Sequence, residues 1–154
     1  MSQGTSLVAF KQAIITNLTA RSGLSGVQVA YAWDDLPSGD DHLEGEAIWL
    51  GDTTWPEYEI PVMRSGTKKV DERYELELFI QVLKVDGSDQ ETADVRAQAL
   101  LVEVQQALAE TPQQSAQIFV AQFVVQKHHT GQIPPGPGHG SRFDCVLAVH
   151  ARLA

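Results

Sequence analysis

Histidine, carboxylate and hydroxyl side chains are the groups from which a metal centre or a nucleophilic site is built, and this 154-residue chain carries 5 His, 20 Asp and Glu and 1 Cys. The densest acidic stretch, "DDLPSGDDHLEGE", brings Asp34, Asp35, Asp40, Asp41, Glu44 and Glu46 onto one segment with no basic residue among them. Hard cations need several oxygen ligands on such a segment, but the spacing is not that of an EF-hand and no glycine-centred DxDxDG occurs. His128 and His129 are adjacent, which on a strand sends them to opposite faces, and His139 follows in "GQIPPGPGHGS". There is no HExxH and no evenly spaced trio. Ser141 stands beside glycines in "GPGHGSRF", yet this is not GxSxG, and no aspartate and histidine follow at relay-like separations. These glycines precede a strand instead of joining a strand to a helix, so they form no phosphate cradle. The expectation is no catalytic residue, no metal and no cofactor. An enzyme or small ligand-binding α+β domain would need His128, His129 and Asp144 to converge in a concave site.

Charge and composition narrow the classes further. A net charge of -9 and a pI near 4.8 exclude a protein whose main business is wrapping nucleic acid, because phosphate binding needs a positive surface. They leave room for a local basic patch, and "RSGTKKVDERYELELFIQVLKV" supplies one: Arg64, Lys68 and Lys69 around Gly66, then Arg73. Cys145, in the alternating run "RFDCVLAVHA", reads as a small buried hydrophobe. No apolar run reaches the roughly 18 residues that suggest a membrane span. "MSQGTSLVAFKQ" lacks a basic region feeding a hydrophobic run, so the chain is expected to be made and folded in a cytoplasm.

The elements that would hold these groups follow from periodicity. Leu7, Phe10, Ile14 and Leu18 mark a helix over 5–19, capped by Thr5 or Ser6, with Gly23 and Gly26 at its exit. "VQVAYAW" is a strand with Val27, Val29, Tyr31 and Trp33 on one face, 34–45 is a loop, "EAIWLG" is a second strand, and "YEIPVM" is its extension or a separate edge. From Tyr74 to Val85 the alternation is strongest, with Tyr74, Leu76, Leu78, Ile80 and Val82 on one face; a strand this long must bend or project. Ser88 and Glu91 have capping-box spacing ahead of a helix to about Ala109, buried through Ala93, Ala97, Leu100, Leu101, Val104 and Leu108. Two strands close the chain, 118–127 and 143–153, joined by a long proline-glycine connector. The fold class is α+β: a single domain, 1–154, with a mostly antiparallel twisted sheet of four to five strands, two helices and long inter-strand loops. Several strands are apolar on both sides, so if both helices cover one sheet face, the other needs a partner, most naturally a second subunit. Phe79, Leu83, Phe119 and Phe123 are the candidates for that contact.

The helix "LVAFKQAIITNL", a strand, a proline-containing loop, the long strand entered through "RSGTKKVDERYELELFIQV", a capped second helix and two closing strands resemble the tail terminator proteins of long-tailed bacteriophages over Leu7 to Leu153. The resemblance implies a homo-hexameric ring that caps the finished tail tube at the head-proximal end of the virion tail. Its partners would be the major tail (tube) protein and a head completion or neck protein, with non-specific contact to DNA in the lumen and no membrane. It puts Arg64, Lys68, Lys69 and Arg73 on a loop facing lumen or tube. Asp34, Asp35, Asp40, Asp41 and Glu44, with Pro134, Pro135, Pro137 and His139, fall on loops that meet a neighbour or the neck. Another head-tail connector or neck ring protein is the alternative within the same kind of particle.

Overall fold

The computed structural model describes residues 5–33, 45–55, 58–59, 70–84, 88–111, 118–133 and 138–153. In chain order the elements are α1 (Leu7–Ala20), β1 (Gln28–Ala30), β2 (Gly45–Thr54), β3 (Tyr58–Glu59), β4 (Val70–Lys84), α2 (Gln90–Glu110), β5 (Ile118–Ile133) and β6 (Gly138–Leu153), with a 3-10 turn at Ser22–Leu24 after α1. The sheet order is β1-β2-β4-β6-β5, and β3 pairs with β4 off that path. All pairings are antiparallel except β1 with β2. This is the expected α+β class.

β4 is the centre of the sheet because its alternation makes one face apolar from Tyr74 to Val82: Tyr74, Leu76, Leu78, Ile80 and Val82 are all buried. Both helices rest on that face. α1 contributes Phe10, Ile14 and Leu18, and α2 contributes Leu100, Leu101, Val104 and Leu108. Ala93 and Ala97 allow α2 to approach closely, since they present no bulk beyond Cβ. The strand neither projects nor stands alone: β6 pairs with it from Val70↔Leu153 to Lys84↔His139. Arg21, at the end of α1, ties the helices together by donating to Glu103 of α2 at 2.7 Å and Glu110 at 2.5 Å. Gly23 leaves room for the Glu103 carboxylate, since a Cβ there would lie 2.3 Å from its carboxyl carbon and that side chain would have to shift.

The start of α1 is held from a distance. Glu72 of β4 is fully buried and accepts hydrogen bonds from Ser6 N–H and Ser6 Oγ, both at 2.9 Å, from Thr5 Oγ1 at 2.5 Å and from Trp55 Nε1 at 2.9 Å. Burial disfavours its charge, but these four donors outweigh that cost and keep the carboxyl below the usual glutamate range. A carboxylate at a helix N-terminus is also favoured by the orphan N–H groups and the helix dipole.

Some local expectations hold and others are corrected. Of the two expected caps of α1, Thr5 acts: its Oγ1 accepts from Leu7 N–H at 3.1 Å and Glu72 completes the cap, whereas Ser6, the N-cap residue by position, makes no side-chain capping bond. α2 is capped by Asp89, whose Oδ1 accepts from Thr92 N–H at 2.9 Å, one residue beyond the expected Ser88. β1 ends at Ala30, so Trp33 does not share a strand face with Val27 and Val29. Of the two expected alternatives for "YEIPVM", the separate edge is the one found: β3 is a short strand paired with β4. The expected connector is largely strand: β5 and β6 stay paired to Ile133↔Gly138, which places Gly131, Gly140 and His139 inside the ladder. Glycine is permitted there because an extended backbone needs no side chain. β4 begins at Val70, so Arg73 lies in a strand and not in the preceding loop. Glu72 concealed that start, since a buried carboxylate interrupts the apolar alternation.

Cys145 is 1% exposed and burial pushes its thiol up to about 12. A thiol this protonated and enclosed is a poor nucleophile. Ellman's reagent is therefore expected to leave the native protein untouched and to titrate one thiol in denaturant; rapid native labelling would contradict the packing of β6.

Candidate interaction face

No described element packs on the opposite face of the sheet, which β4 presents through its odd-numbered residues. Pairing partners share a face, so cross-strand register assembles the surface. Trp49, Phe79 and Asp144 fall in one row across β2, β4 and β6, and Lys127 of β5 completes it. Trp33 joins from beyond β1. Its ring lies 4.9 Å from that of Trp49, which stacks on Phe79 at 5.4 Å. The Arg142 guanidinium stands 5.5 Å from the centre of the Phe79 ring, within cation-π range. Its Nε donates to Asp144 Oδ1 at 2.8 Å, and His129 Nε2 is 2.7 Å from Asp144 Oδ2. A ladder of aromatic, cationic and anionic groups thus crosses the sheet.

The ladder is half-covered by its own members: Trp49 is 6% exposed but Trp33 is 47% exposed. Gly51 makes the stacking possible, because a Cβ at that position would lie 2.5 Å from Phe79 Cε2. Farther along the same face, Asp71 accepts from Arg152 Nε at 2.8 Å, and that bond holds its carboxyl below the usual range. Arg73 is exposed here, beside a depression of about 340 Å³ whose lining includes Glu75, Gln122, Ala148 and His150. At the outer edge, Val124 is 46% exposed.

Of the residues singled out in the sequence, Phe79 and Leu83 lie on this face, Leu83 beside a second depression. Phe123 points the other way and packs against the helix-covered core. Phe119 falls at an irregularity of β5 between Ile118 and Val120. His139 is on the helix side, where its Nδ1 lies 2.8 Å from Ser88 O. Arg64, Lys68, Lys69, Asp34, Asp35, Asp40, Asp41, Glu44, Pro134, Pro135 and Pro137 lie outside the described residues. His128 and His129 do not converge with Asp144: His128 Nε2 is 2.7 Å from Ser141 Oγ and its ring lies 4.5 Å from Phe143, while only His129 meets the aspartate. Among the described residues no group of three His, Cys, Asp or Glu side chains could hold a metal ion, and no helix is long and apolar enough to cross a membrane.

No family model matches the chain, and no curated protein does. A solved structure does. It is a chain of the "Virion of native gene transfer agent (GTA) particle", similar at a TM-score of 0.55 over 97% of this chain and 100% of that one, with 16% sequence identity. The likeness is one of fold.

Proposed function

We propose that this chain is a structural subunit of a phage-like virion, and within it a tail terminator: a homo-hexameric ring that caps the tail tube, ends its growth and offers the surface on which the head or neck docks. The observation that carries this reading is the uncovered sheet face, amphipathic and aromatic, on a chain whose fold is shared end to end with a virion component. A surface of this kind is used for assembly, because its aromatic and arginine side chains are those enriched at protein interfaces. A ring engages the tube through several weak contacts at once, and growth ends if its far side lacks the contact that a tube ring offers.

Mass measurement of the purified chain is expected to give a hexamer, or a monomer that closes into a ring on tail tubes; a monomer that does neither would defeat the proposal. Particles assembled without the protein should carry overlong tails. Normal tails lacking heads would instead assign the chain to the neck. The basic residues supply a further test. The triple replacement R64S, K68S and K69S is expected to leave the melting temperature unchanged, because the three residues lie outside the apolar alternation that begins near Tyr74 and charges of that kind usually contribute less than about 0.5 kcal/mol. It should weaken co-sedimentation with tubes, and wild-type binding should weaken as salt rises. Wild-type binding by the triple variant at two salt concentrations would remove the basic loop from the docking surface.

A further inference from the structure

The pairing register slips by one residue at two places toward the lateral edges of the open face. On β5, Val125 pairs with Cys145 but Lys127 with Asp144, so Gln126 is an extra residue. Strict alternation would send Lys127 to the helix side. The slip instead makes Val124 and Lys127 consecutive on the open face, opposite Val146 and Asp144. On β2, Leu50 pairs with Leu78 and Thr53 with Leu76, so Gly51 and Asp52 together oppose Glu77. Asp52 N–H donates to Glu77 Oε1 at 2.9 Å, which fixes this second bulge. Bulges interrupt a ladder and re-aim side chains, and both of these stand beside the row that holds Trp49 and Phe79.

The two bulges give the edges opposite characters. At the β5 edge, Lys127 is exposed beside Val124, which is 46% exposed. Asp144, opposite Lys127 in the register, is engaged by Arg142 and His129. At the other edge β1 pairs with β2 only from Ala47 to Trp49, and Asp52 is exposed beyond that pairing with Glu77 beside it. Trp33, 47% exposed, lies there against Trp49. Each edge thus joins an exposed apolar side chain to a charge, cationic on one and anionic on the other. We propose that they are the two halves of one contact between copies of this chain: Val124 and Lys127 of one copy against Trp33, Asp52 and Glu77 of the next. Charge complementarity selects the occupant, since Lys127 meets the carboxylates of the β2 bulge while Val124 covers the indole. A contact made once between neighbours leaves one edge of each kind open at the ends of the chain of copies. Copies therefore add head to tail, and closure joins the last two edges. The contact rests on the ring reading and adds to it the edges through which neighbours meet.

Sedimentation velocity of the full chain over a concentration series, with and without tail tubes, tests the contact. Wild type is compared with Lys127→Glu, with Asp52→Lys, with the double variant and with an equimolar mixture of the two single variants. Both side chains are exposed, so all should melt close to wild type. Each single variant sets like charges against each other and should weaken self-association on the order of tenfold. The double variant and the mixture should recover it, because each again sets a cation against an anion. Asp52→Lys, on a different strand, still reads the loss should Lys127→Glu misfold. Folded single variants that assemble like wild type, or a folded mixture that fails to recover, would overturn the contact while leaving the ring standing on another interface. Growth of wild type that stops at a dimer would overturn the head-to-tail arrangement. A wild type that stays monomeric at every concentration, with and without tubes, would overturn contact and ring together.

Discussion

Glutamine in place of Glu72 is expected to lower the free energy of unfolding by about 3 kcal/mol, the scale of a buried charged hydrogen-bond acceptor whose donors lose their partner. The amide keeps the volume but presents N–H to two of the four donors that Glu72 now receives from Ser6, Thr5 and Trp55. Its effect should depend on pH. The native carboxyl titrates below the usual glutamate range, so its stabilisation is fully present above that range and is lost as the pH falls through the depressed value. Urea titrations should therefore show a large gap between wild type and Glu72→Gln near neutrality that closes below about pH 4. A gap that stays constant down to the acid transition would show that shape, not charge, holds α1 to the sheet.

That interaction also marks where sequence reasoning stops. The apolar face of β4 from Tyr74 to Val82 and the α2 stripe from Ala93 to Leu108 were legible, because periodicity of 2 or 3.6 is a local property that burial imposes directly. Glu72 was not, since its partners are 17, 66 and 67 positions away and a lone glutamate gives no sign of them. The parallel pairing of β1 was equally invisible in three residues. Phe79 was a candidate for a subunit contact, but its stacking with Trp49, the contact of Trp49 with Trp33 and the link to Arg142 depend on inter-strand register, which no single strand reports. Glycine and proline in "TGQIPPGPGHG" suggested a loop where the hairpin continues, because those residues report what a backbone is free to do and not what its neighbours make it do.

Truncating Leu78 to alanine should cost about 4 kcal/mol, within the range for a fully buried leucine whose surroundings cannot collapse. Leu78 sits where the two helices meet the central strand, against Ile14, Leu18, Val104 and Leu108. Val124→Ala, on the uncovered face, should cost less than about 1 kcal/mol in the isolated subunit because that side chain is 46% exposed. Chemical denaturation of the two variants at a concentration that keeps the protein unassembled measures the asymmetry of the sheet. Equal losses would mean that the second face is covered within the subunit, and the case for a partner there would fail.

The place of β4 between β2 and β6 has a consequence for how a subunit comes into being. β5 and β6 are neighbours in sequence and can zip from the Ile133↔Gly138 end, but β6 must then find β4 across the intervening α2 and β5. Closing so long a loop is slow relative to forming a hairpin or a helix. During synthesis β4 emerges well before its main partner, with its most apolar face exposed while the ribosome completes the rest. The chain is therefore expected to depend on its C-terminal hairpin as a late clasp: a nascent chain arrested before β6 would offer aggregation-prone strand and be cleared, so that only subunits translated through the hairpin reach assembly.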